Sequence, residues 1–86
     1  MPRPALSEED RSNGRALGTA LKALRGARPA AQIARTADVP LDTLRKLEQG
    51  GVPTPGFFLI VRLAAALGTT PDAIVEQTLQ QRKKIR

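Results

Sequence analysis

The chain contains no cysteine, histidine, tryptophan or tyrosine, and its aromatic content is two adjacent phenylalanines, Phe57 and Phe58. Without cysteine there is no disulfide framework, and without cysteine or histidine there is no zinc site of the usual kind and no thiol or imidazole catalysis. A pair of neighbouring phenylalanines is a poor platform for stacking unpaired bases, so any nucleic-acid partner is expected to be a duplex. No apolar run approaches the roughly 18 residues that cross a bilayer, and "MPRPALSEED" lacks the apolar centre of a secretory signal. These absences point to a cytoplasmic protein with no membrane partner and no cofactor. The acidic residues Glu8, Glu9 and Asp10 cluster only at a helix start, and no spacing sets two titratable groups into an acid/base site, so an enzyme is not expected.

What is present is positive charge. The 86 residues carry a formal net charge of +6, which favours a polyanionic partner. The excess lies at the two ends of the chain; the middle third, residues 29–56, is neutral, with Arg35, Arg45 and Lys46 balanced by Asp38, Asp42 and Glu48. A chain this short forms one domain with a modest core.

Apolar residues recur at helical spacing almost throughout, and no β-branched alternation suggests a strand. The expected fold is an all-α compact bundle of five helices. Ser7 with Asp10 three residues later reads as a capping box, while "SNG" at 12–14 offers an alternative helix start at Asn13. Leu17, Ala20, Leu21 and Leu24 form the first stripe and Ala30, Ile33, Ala34 and Ala37 the second. "ADVP" is a turn, and Leu41, Leu44 and Leu47 line a third helix closed by Gly50. The loop "GGVPTPG" precedes a fourth helix with the expected stripe Phe57, Ile60, Val61, Ala64 and Leu67. Thr70, Pro71 and Asp72 cap a fifth, carrying Ile74, Val75 and Leu79. Residues 1–12 are expected to form an arm or short helix, 13–80 the domain, and 81–86 a basic tail.

Two short helices joined by a tight turn, with small Ala34 at the crossing and Val39 plugging the turn, form a helix-turn-helix. With "ALGTALKALR", "AAQIARTADVPLDTLRKLEQG" and "LAAALGTTPDAIV" around it, the chain resembles the phage-repressor/Cro type of helix-turn-helix DNA-binding domain over residues 16–75. The resemblance implies a lambda-repressor-like bundle that binds double-stranded DNA as a homodimer and regulates transcription. It also implies that Leu41, Asp42 and Lys46 reach base edges: Leu41 against a thymine methyl, Asp42 accepting from cytosine N4, Lys46 donating to guanine. Phosphate contacts are expected of Arg28, Arg35, Thr43 and Arg45, and a structural pair of Arg25 with Glu48. Four features depart from the family's pattern: Ala30 replaces a glutamine, the link "GARPA" between the first two helices is about two residues short, Asp38 stands where glycine is usual, and the loop after the third helix has no cation.

Blander readings stand beside these. Asp42 suits the first turn of any helix, Arg45 and Lys46 suit a solvated face, and Leu41 suits a bundle edge. The neutral middle third also fits a second function, a protein-interaction module of the same fold, such as an antitoxin or adaptor holding a toxin or regulator partner. Phe58, Val75 and Leu79, left over once each buried stripe is assigned, are the expected dimer interface.

Overall fold

The computed structural model describes residues 7–85. Residues 1–6 of the expected N-terminal arm and residue 86 of the basic tail lie outside that range. Five helices follow in order: α1 (Glu8–Arg25), α2 (Ala30–Ala37), α3 (Leu41–Glu48), α4 (Phe57–Leu67) and α5 (Pro71–Ile85). No strand occurs among the described residues. The fold is all-α. α1 packs on α3 and α5, and α2 packs on α3 and α4. Leu21, Ile33, Leu44, Leu47, Leu63 and Ile74 fill the centre, so all five helices contribute to one core. No single described helix is long and apolar enough to cross a membrane.

The helix starts fall into two kinds. α1 opens with a complete capping box, the Ser7 hydroxyl accepting from the Asp10 N–H at 3.0 Å and the Asp10 carboxylate accepting from the Ser7 N–H. α5 opens with Thr70, whose hydroxyl accepts from the Ala73 N–H at 3.1 Å. α2, α3 and α4 open on Pro29, Pro40 and Gly56 and have no side-chain cap.

Two expectations need correction. The start at Asn13 is not used, because α1 runs unbroken through Ser12, Asn13 and Gly14. Gly14 and Gly18, one turn apart, are contact points there: a Cβ on Gly14 would lie 2.5 Å from the Gly50 carbonyl oxygen, and one on Gly18 2.5 Å from that of Leu47. The missing side chains let the end of α3 lie directly on α1. The second correction concerns α4, whose buried face is Leu63, Ala64 and Leu67, with Ile60 half-buried. Phe57, expected in the core, is 69% exposed, because α4 turns the face of Leu63, Ala64 and Leu67 inward, and Leu63 fills the centre instead.

Candidate nucleic-acid interface

α2 and α3 are set by a turn that depends on one residue. Asp38 adopts φ 58° and ψ 49°, the left-handed conformation, and is the sole non-glycine residue with positive φ among those described. Its N–H and that of Val39 donate to carbonyls of Arg35 and Ala34, closing α2. Aspartate tolerates this conformation better than most residues, which explains how it occupies a position that suits glycine. Val39 is then buried, and Pro40 starts α3.

Leu44 and Leu47 are buried and fix the rotation of α3. Asp42, Arg45 and Lys46 consequently stand exposed, and Gln49, the C-cap residue still in a helical conformation, completes the same face at i, i+3, i+4 and i+7. Leu41 and Thr43 flank this face half-buried, with Leu41 packed against the core cluster. Gln49 was not singled out in the sequence; its spacing from Asp42 and Lys46 is the signal that would have found it.

The far end of α3 is clamped. Arg25 Nε donates to Glu48 Oε2 at 2.8 Å and its Nη2 to Glu48 Oε1 at 2.9 Å, while Nη1 donates to the Arg28 carbonyl at 2.7 Å. Glu48 is nearly buried, its side chain 6% exposed. Its bond holds the Arg25 guanidinium above the ordinary arginine pKa, against the opposing pull of burial.

The basic residues are not alike in the folded chain. Arg35 and Arg45 are exposed. Arg28, expected at a phosphate, folds onto the backbone: its Nε donates to the Arg25 carbonyl, and its Nη2 to the carbonyls of Leu24 and Leu67. The short link between α1 and α2 leaves the last carbonyls of α1 open, and Arg28 folds back to satisfy them and to tie on the end of α4. Arg15, which the sequence reading did not single out, lies at the end of α3, where a Cβ on Gly50 would be 3.0 Å from its Cα. Its side chain is exposed, beside a loop (residues 51–56) that carries no cation.

A helix held by two buried leucines and a bidentate ion pair, with one polar face turned outward, has the form that entry into a DNA groove requires. The sequence model of a family described as a helix-turn-helix domain matches residues 16–77. The chain belongs to the helix-turn-helix domain family. This is a family of DNA-binding domains, and the match spans α2, the turn, α3 and α4 whole, together with residues 16–25 of α1 and 71–77 of α5. No match was found among curated proteins.

Proposed function

We propose that the protein is a sequence-specific, double-stranded DNA-binding transcriptional regulator of the cytoplasm that places α3 in the major groove. The observation that carries this reading is the single exposed face of Asp42, Arg45, Lys46 and Gln49 on a helix whose opposite side is locked into the core. Lys46 and Gln49 supply donors for purine edges, and Asp42 an acceptor for cytosine N4; Leu41 lies at the rim of the face, where a thymine methyl would meet it.

Phosphate contacts fall to Arg35, Arg45 and Thr43. Arg15 joins them in place of Arg28, whose Nε and Nη2 are engaged with carbonyls. The uncapped first turns of α2 and α3 add backbone N–H groups that suit an anion. One reading helix spans too few base pairs to be selective, which favours a homodimer on a two-fold site. Phe58, Val75 and Leu79, at 75%, 54% and 52% exposure, are the surface for it, and Phe57 lies beside them with its ring centroid 5.2 Å from that of Phe58.

Selection of bound sequences from a random duplex library tests the reading. Enrichment of an inverted repeat is the expected result. Absence of any enriched duplex would reject it in favour of a protein-interaction module, antitoxin or adaptor, for which the cation-free loop and exposed phenylalanines speak.

A further inference from the structure

Gly14 and Gly18 stand one turn apart on a single face of α1, and both are buried. Glycine inside a helix lowers its stability relative to alanine, so two in one interior are expected to be offset by something the fold gains there. The gain is close approach to the end of α3. A Cβ on Gly14 would lie 2.5 Å from the Gly50 carbonyl oxygen and 3.3 Å from its carbon, and one on Gly18 would lie 2.5 Å from the Leu47 oxygen and 2.6 Å from that of Glu48. All of these neighbours are backbone, so no side chain can rotate away to make room. The Gly50 N–H donates to the Leu47 carbonyl and the Gly51 N–H to the Lys46 carbonyl, each at 3.0 Å, so the backbone that touches α1 is tied to the last turn of α3.

The contact acts on one end of α3. Gly14, Gly18 and Arg25 meet it at residues 47–50, whereas its start is set by the turn through Asp38 and the buried Val39. α3 is about 12 Å long, so a push at its last turn tilts it about its first. Lys46 and Gln49 lie beside the contact and move with it, while Asp42 lies next to the pivot. A new Cβ at Gly14 or Gly18 has to open its oxygen contact from 2.5 Å to 3.0 Å or beyond, a displacement of about 0.5 Å or more. A base contact confined to about 2.7–3.2 Å is lost over such a distance.

We propose that Gly14 and Gly18 are positioning residues for sequence reading: they seat the last turn of α3 at the depth from which Lys46 and Gln49 reach base edges, without themselves touching DNA. A Cβ at either position weakens the discrimination exerted by Lys46 and Gln49 and spares that exerted by Asp42. This inference rests on the DNA-reading function proposed above and extends it to residues buried behind the reading helix.

The test is duplex binding by the full chain, comparing the selected duplex with its single-base variants. Asp42→Ala, Lys46→Ala and Gln49→Ala first assign base pairs to the two ends of α3. Discrimination is then read for Gly14→Ala and Gly18→Ala as the ratio of affinities for two duplexes in one protein sample. The folded fraction cancels from that ratio, so lost stability alone leaves it unchanged, and either variant that folds by circular dichroism is sufficient. Both are expected to lower discrimination about tenfold at the base pairs of Lys46 and Gln49, and to keep it within about twofold at that of Asp42. Gly51→Ala is the control: its Cβ would meet the Lys46 oxygen at 3.4 Å, an ordinary contact, and discrimination is expected to stay at the wild-type level. Unchanged discrimination in both α1 variants, an equal loss at both ends of α3, or failure of Lys46→Ala and Gln49→Ala to affect any particular base pair overturns the positioning role and leaves DNA binding standing. A wild-type chain that enriches no duplex overturns both.

Discussion

The Arg25 guanidinium holds both carboxylate oxygens of Glu48, at 2.8 and 2.9 Å, and so joins the last turn of α1 to the last turn of α3. The two residues are 23 positions apart in sequence, and the bond fixes one end of α3 while Leu44 and Leu47 fix its rotation. Glu48→Ala is expected to lower unfolding free energy by about 2–3 kcal/mol. That is less than the roughly 3–5 kcal/mol of a fully buried pair, because the Arg25 side chain keeps 20% of its surface in solvent. Urea denaturation measures it; an unchanged midpoint would mean that the pair does not stabilise the fold.

Gly18→Ala reverses the usual sign for a helix. In an open helix interior, alanine gains about 0.5–1 kcal/mol over glycine. Here the new Cβ would lie 2.5 Å from the Leu47 oxygen and 2.6 Å from that of Glu48, so α3 has to move away. A net loss of about 1–3 kcal/mol is expected, and stabilisation in a thermal melt would show that α1 and α3 are not in close contact.

Asp38 offers a gain. Its φ of 58° is strained for any residue with a Cβ, so Asp38→Gly is expected to stabilise by about 0.5–1 kcal/mol, and Asp38→Val to destabilise by about 1–2 kcal/mol. Equal melting temperatures for the two variants would argue against the left-handed turn.

Arg15 and Arg28 should separate affinity from stability. Arg28→Gln removes donors from three carbonyls and is expected to lower the melting temperature without changing the salt dependence of duplex binding. Arg15→Gln is expected to leave the melt alone and to reduce the slope of log affinity against log salt by about 0.9, one phosphate contact. The opposite assignment of effects would exchange the two roles.

Lys46→Ala, compared with Arg35→Ala on single-base variants of the selected duplex, distinguishes reading from holding. Loss of a base contact is expected to cost about 1–3 kcal/mol at one position, and loss of a phosphate contact to weaken all sequences alike. Uniform weakening by both variants removes Lys46 from the reading set.

The sequence by itself determined the helices and the turn between α2 and α3, because these depend on short-range signals: apolar spacing, the Ser7 and Thr70 caps, Gly50 after α3, and Asp38 before Val39. It also determined that Leu44 and Leu47 face inward, and with them that Asp42, Arg45 and Lys46 face out. Only the tertiary structure decided which glycine breaks a helix and which admits a neighbour, since Gly14 in "SNG" has its meaning from the Gly50 carbonyl 36 residues away. It decided that Leu63 rather than Phe57 enters the core, because periodicity fixes the spacing of a stripe but the packing of other helices fixes its rotation. It also decided that Arg28 binds carbonyls while Arg15 faces solvent, because a cation's partner is whatever the folded backbone brings within hydrogen-bonding distance, and charge alone does not record that distance.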